Sequence, residues 1–98
     1  MKLVVGLGNP GKEYENTRHN IGYELANMFA KKYGCAFRTE RKFEADIFDI
    51  NINGEKVIVA KPLTYMNLSG NAVKKIVDFY NINSQDILIM HDDLDMVL

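Results

Sequence analysis

Two histidines, His19 and His91, and an acidic cluster, Asp92, Asp93 and Asp95, are the residues best suited to chemistry in this chain. An imidazole has an unperturbed pKa of about 6.5, so it can take a proton from water near neutral pH. A histidine in that role needs a carboxylate to fix its tautomer and to stabilise the imidazolium that forms. His19 follows the loop after the first apolar run, and the aspartates follow the last one. If those runs are neighbouring strands, a His–Asp pair activating water is geometrically reasonable. No serine sits in a nucleophile elbow, and Cys35 lies in a helix-to-strand turn with no histidine near it in sequence. A water-activating pair is the better candidate than a covalent nucleophile. The plainer reading of His19 is a helix N-terminal residue making local hydrogen bonds, and of Asp93 and Asp95 a solvated turn.

Other chemistries fit less well. His19, His91 and the three aspartates are all metal-ligand types. Asp93-Leu94-Asp95-Met96-Val97 also has the form of a magnesium-dependent aspartate phosphotransferase motif, but that motif belongs near the start of its fold. Gly6-Leu7-Gly8-Asn9-Pro10-Gly11 matches a dinucleotide fingerprint on paper. Such a loop should open directly into a helix, with a ribose-binding acid about 20 residues on. Here Lys12 to Arg18 has no apolar stripe, and residues 28 to 34 carry no acid. The glycines and Pro10 more simply make a turn that permits close approach, with the amide of Asn9 offering a donor and an acceptor. Tyr65-Met66-Asn67, before Leu68-Ser69-Gly70, reads either as a substrate rim or as a helix cap by Asn67 or Ser69 with Met66 in the core.

The elements that must hold these groups are legible in the apolar spacing. Lys2 to Leu7 reads as a buried strand. Ile21, Leu25, Met28, Phe29 and Tyr33 fall on one face of a helix over 19–33, with Thr17 or Asn20 as its cap and Gly34 as its stop. Phe43 to Ile52 mostly alternates, Asn53-Gly54 signals a hairpin, and Val57 to Ala60 returns. Pro62 ends that strand. Ala72, Val73, Ile76, Val77, Phe79 and Tyr80 mark a second helix closed by Asn81. Ile87 to Met90 is wholly apolar, as in a strand covered on both faces. The expected order is β-α-β-β-α-β, an open mixed α/β sheet in a three-layer arrangement with flanking helices. Ligands in such sheets collect beyond the C-terminal strand ends, and three polar clusters follow strand ends here, at 8–20, 63–67 and 91–95.

Composition bounds the class. Ninety-eight residues predict one domain, and 47% hydrophobic with 26% charged residues is a soluble, globular profile. No apolar run approaches a membrane span, and Met1-Lys2 leads into a first strand rather than a signal peptide. The single cysteine excludes an internal disulfide, and a cytoplasmic location is the simplest account. Net charge is −1, from +3 over residues 1–45 and −4 over residues 46–98. Lys31, Lys32 and Lys42 read as solvated faces rather than a nucleic-acid footprint, since a dedicated domain usually has a pI above about 9.

Taken together, GLGNPGKEYENTRHNIGY, KPLTYMNLSG and HDDLD, in this order and spacing, closely resemble bacterial-type peptidyl-tRNA hydrolases over nearly the whole chain. The resemblance implies a metal- and cofactor-free esterase that cleaves the ester joining a peptide, or an N-blocked amino acid, to the tRNA 3′ end. It implies His19 as general base and Asp92 as the acid that holds it. It implies Asn9, Tyr14, Tyr65, Met66 and Asn67 as substrate-binding residues, with Asn9 near the scissile ester. The family's chain is about twice as long, so the resemblance implies a single, incomplete peptidyl-tRNA hydrolase-like domain over 1–98. A sheet edge and apolar surface should then be uncovered. The family is monomeric at full length, and this chain is expected to self-associate or to be marginally stable. The alternative to an active esterase is an inactive remnant that binds tRNA ends or pairs with itself.

Overall fold

The structure, a computed structural model, describes residues 1–8, 21–64 and 68–91. Strand β1 is Lys2–Gly6, helix α1 Ile21–Tyr33, β2 Arg38–Glu40, β3 Ala45–Ile52, β4 Glu55–Pro62, helix α2 Ser69–Tyr80 and β5 Ile87–Met90. The five strands form one sheet in the order β2-β3-β4-β1-β5. The α/β class and its helices stand as expected, with one strand more. Strand β2 and the 3-10 turn at Arg41–Phe43 precede β3, so Phe43 belongs to the turn and not to the strand. Glu44 then adopts a left-handed conformation (φ 53°) before β3 begins.

Strands β2, β3 and β4 are antiparallel neighbours, whereas β4, β1 and β5 run parallel. The β3–β4 turn uses Asn53 (φ 52°) and Gly54 (φ 84°), both in the positive-φ region that a two-residue hairpin demands. Register follows from it, with Ile52 opposite Glu55 and Ala45 opposite Pro62.

One helix covers each face. On the α2 side lie Leu3, Val5, Phe43, Ile47, Ile58 and Ile76. On the α1 side lie Ala26, Ala30, Phe48, Val57 and Val59. Helix α1 ends as a Schellman turn: Gly34 (φ 68°) takes the left-handed position, and the Cys35 N–H reaches Ala30 O at 2.9 Å. Asn81 (φ 55°) ends α2 in the same conformation.

The buried face of α1 differs from the expected one. Gly22, Ala26 and Ala30 meet the sheet, while Ile21, Leu25, Met28 and Tyr33 are 36%, 40%, 65% and 39% exposed. Small residues at i, i+4 and i+8 let the helix axis approach the sheet closely, which large side chains on that face would prevent. Strand β5 is likewise not covered on both faces, since Leu88 is 53% exposed. Among the described residues, no helix is long and apolar enough to cross a membrane.

Candidate functional site

The parallel set β4-β1-β5 sends three chain ends to one edge of the sheet. β1 runs out at Gly6 towards residues 9–20, β4 at Pro62 towards residues 65–67, and β5 at Met90 towards residues 92–98. The expected site residues all lie in these three segments: Asn9, Tyr14 and His19 in the first, Tyr65, Met66 and Asn67 in the second, Asp92 in the third. All seven fall outside the described residues, as do Asp93 and Asp95. The structure describes the frame from which they extend.

That frame is tightly stitched. The Leu7 N–H donates to Met90 O at 2.9 Å, and the Tyr23 N–H donates to Leu7 O at 3.2 Å. Leu7 therefore joins the end of β5 to the first turn of α1. Both contacts depend on glycine. A β-carbon on Gly22 would overlap Met90 O and lie 2.5 Å from Leu7 N and O. One on Gly6 would overlap Gly22 O and lie 2.9 Å from the Ala26 β-carbon. The start of α1, three residues after His19, is thus pressed against the end of β5, two residues before Asp92.

A second tie joins α1 to the end of β4. The Tyr23 hydroxyl donates to Pro62 O. Burial, with Asp46 nearby, pushes the Tyr23 phenol up to about 12. Beside it, the Lys61 ammonium donates to Asn27 Oδ1 at 2.7 Å and sits 4.2 Å from the centroid of the Phe37 ring. Desolvation lowers the Lys61 pKa, against the opposing pull of Asp46 across the strand pair. Sequence reasoning missed Gly22, Tyr23, Asn27 and Lys61, whereas Gly6 belongs to the run expected to permit close approach. A legible signal existed for one of them, the Gly22-Ala26-Ala30 stripe.

The Tyr23 tie carries a stability prediction. Tyr23→Phe should cost about 1 kcal/mol at pH 7, the usual net worth of such a hydrogen bond. The folded pKa lies above the unfolded value of about 10, so the contribution is complete below pH 10 and is lost as pH rises towards 12. Urea melts should show the gap between wild type and variant closing between pH 10 and 12. A constant gap would contradict the tie.

Around residues 65–67 the frame holds two buried hydroxyls, Thr64 Oγ1 and Ser69 Oγ, with no hydrogen-bond partner among the described residues. Ser69 is the first residue of α2 and is 3% exposed; it does not cap the helix. Asn67, the other expected cap, lies outside the described residues. Cys35 packs at the rim of the α1-side core, away from the strand ends, as a structural thiol. Lys31, Lys32 and Lys42 are exposed, and the Lys42 ammonium lies 4.2 Å from the Phe79 ring centroid. No group of three or more metal-ligand side chains occurs among the described residues.

The sheet and the shared edge define an open α/β protein with three adjacent parallel strands, an arrangement whose ligands generally collect beyond the C-terminal strand ends. A family profile described as peptidyl-tRNA hydrolase matches residues 3–98, and the chain belongs to that family. It is 54% identical over 97 residues to a peptidyl-tRNA hydrolase of Exiguobacterium sp., covering 99% of this chain and 52% of that one. It is 51% identical over 96 residues to one from Clostridium beijerinckii, covering 98% and 50%. The crystal structure of peptidyl-tRNA hydrolase from Acinetobacter baumannii superimposes with a TM-score of 0.91 at 46% identity, over 98% of this chain and 49% of that one. The chain therefore spans about half the length of the relatives it matches.

Proposed function

We propose that the chain carries the hydrolytic centre of a peptidyl-tRNA hydrolase, acting in the cytoplasm on the ester between a peptide, or an N-blocked amino acid, and the tRNA 3′ end. The observation that supports this most directly is the junction of Gly22 with Leu7 and Met90. It joins Gly22 to Met90, which stand three residues from His19 and two from Asp92 in the sequence.

In this reading His19 takes a proton from water, and the oxygen attacks the ester carbonyl. Asp92 holds the other ring nitrogen and stabilises the imidazolium. Collapse of the tetrahedral intermediate breaks the bond to the ribose oxygen, which leaves with the proton returned by His19. Asn9 and Asn67 bind the acyl group and the backbone through uncharged amides, with Tyr14, Tyr65 and Met66 lining the cleft. The chemistry needs no metal and no cofactor.

The test is single-turnover reaction of excess chain with an N-acetyl-aminoacyl-tRNA and with the unblocked aminoacyl-tRNA, both in EDTA. Release of the N-acetyl amino acid, with the unblocked ester spared, is the expected result. Release only after adding a divalent cation would overturn the mechanism. The uncovered strand β5 favours one other reading, a module that binds tRNA ends or a second copy without turnover. Retained tRNA binding or dimerisation with no cleavage would select it.

A further inference from the structure

We infer that Lys61 is a phosphate contact beside the edge where the three chain segments leave the sheet, and that the group it takes is a phosphodiester of the tRNA 3′ end. The inference rests on the hydrolytic reading for its ligand and adds a binding residue to it.

Lys61 stands apart from the other basic residues. Residues 46–98 carry four lysines, Lys56, Lys61, Lys74 and Lys75, and no arginine. Lys56 lies 4.0 Å from Asp49, Lys74 2.9 Å from Asp78 and Lys75 2.5 Å from Glu44. No ion pair among the described residues includes Lys61. Other lysines without such a pair, Lys31, Lys32 and Lys42, are exposed, whereas Lys61 is half-buried.

An acid is at hand, yet the ammonium turns away from it. Asp46 lies directly opposite Lys61 in the β3–β4 register, the usual place for a cross-strand ion pair. Its Oδ1 accepts from the Thr39 hydroxyl at 2.6 Å. The ammonium donates instead to the neutral Asn27 Oδ1 at 2.7 Å, and it sits 4.2 Å from the Phe37 ring centroid and 5.8 Å from that of Tyr23. An ammonium has three N–H donors, and Asn27 takes one of them among the described residues. Neutral groups thus hold the charge in one place without a contacting carboxylate. A cation ordered in advance loses less freedom when an anion binds.

Its position suits the substrate. Ala60 pairs with Val5, and Gly6 with Met90. Lys61 therefore falls on the row of Gly6 and Met90, the last residues of β1 and β5. Gly22 packs against that same row. The ester of the substrate is uncharged, and its peptide differs from one substrate to the next. The terminal phosphodiesters are the anionic groups common to all of them. Binding energy from a part remote from the reacting bond can position that bond, and a fixed cation at this edge draws on the common part.

The probe is the trinucleotide CpCpA, with adenosine and N-acetylglycine as controls. Each is titrated into the 98-residue chain and followed by the NMR signals of the Asn27 side-chain amide and the Lys61 backbone amide. CpCpA should shift both signals and adenosine neither. Lys61→Met keeps an unbranched side chain against Phe37 and should remain folded, as its melting curve will show. It should bind CpCpA about fivefold or more weakly. The slope of log K against log salt should fall by about 0.7, the single-strand value for one phosphate. Lys61→Arg should restore affinity and slope, and Lys74→Met, at an exposed lysine of α2, should change neither. The inference is overturned by signals that CpCpA leaves unmoved, by wild-type affinity in Lys61→Met, or by an equal loss in Lys74→Met. It is also overturned if N-acetylglycine, a carboxylate, moves the signals and CpCpA does not. No readout involves turnover. A chain that binds through Lys61 without cleaving fails the hydrolytic reading alone, and one that cleaves while Lys61→Met binds like wild type fails this inference alone.

Discussion

Gly22→Ala should lower the melting temperature by roughly 8–16 °C. The added methyl has nowhere to go. Its carbon would overlap Met90 O and stand 2.5 Å from both Leu7 N and Leu7 O, all of them backbone atoms. Backbone held by the hydrogen bond from Leu7 N–H to Met90 O cannot rotate aside as a side chain can. Relief requires α1 to lift from the sheet, which breaks the Tyr23 N–H bond to Leu7 and loosens Ala26 and Ala30 in the core. Overpacking of this kind costs about 1–3 kcal/mol, occasionally more. In a domain of this size each kcal/mol shifts the melting temperature by about 4–8 °C. Alanine's better helix propensity returns at most about 1 kcal/mol. Gly70→Ala is the control, since nothing lies within 4 Å of its β-carbon in α2. It should be neutral or slightly stabilising. Equal melting temperatures for wild type and Gly22→Ala would show that the junction of α1, β1 and β5 is not as close as described.

That junction also shows where sequence reading reached its limit. The hairpin was legible because Asn53-Gly54 encodes its own backbone conformation. The helix ends were legible because Gly34 and Asn81 accept positive φ. These are local signals. The orientation of α1 is set by another quantity, the distance at which a helix can lie on a sheet. Two stripes compete along α1, one of large residues from Ile21 to Met28 and one of small residues from Gly22 to Ala30. Hydrophobicity alone favours the first, and close packing selects the second. The large stripe then lies on the exposed side of the helix rather than in the core. Strand β2 escaped notice because three residues, Arg38-Thr39-Glu40, are polar and join only an edge. Their contribution is pairing and charge, including Thr39 Oγ1 to Asp46 Oδ1 at 2.6 Å and Arg38 to Asp49 at 3.2 Å. Neither leaves an apolar period to read. At the candidate site, residue types could be read from the sequence, and the fold adds that their three segments leave one edge of the sheet. The ties between α1 and the end of β4, Tyr23 to Pro62 and Lys61 to Asn27, join residues 39 and 34 positions apart, beyond any local pattern.

The largest functional effect is expected at His19. If this side chain is the base, His19→Ala should slow single-turnover cleavage of an N-blocked aminoacyl-tRNA by about 10²–10⁴-fold, the range for loss of a positioned general base. Binding of the tRNA should change little, because the imidazole acts on water and its interaction strengthens only as the proton moves. Folding is a separate matter and is checked by the melting temperature, which should match wild type. Asp92→Asn tests the partner. A carboxylate beside the ring stabilises the imidazolium and raises the histidine pKa. The base is active only when neutral, so the wild-type rate should rise with pH through that raised value. Without the carboxylate the midpoint should move to lower pH, while the plateau rate falls because the imidazolium formed during attack is no longer stabilised and the ring no longer held in one tautomer. An amide can still occupy the space, which makes a simple packing defect a poor explanation for a shifted midpoint. A fallen plateau with an unmoved midpoint would detach Asp92 from His19. The neighbouring acids Asp93 and Asp95 would then be the next to substitute. A His19→Ala chain that cleaves as fast as wild type would remove His19 from the reaction and leave the shared edge of β4, β1 and β5 as a binding surface alone.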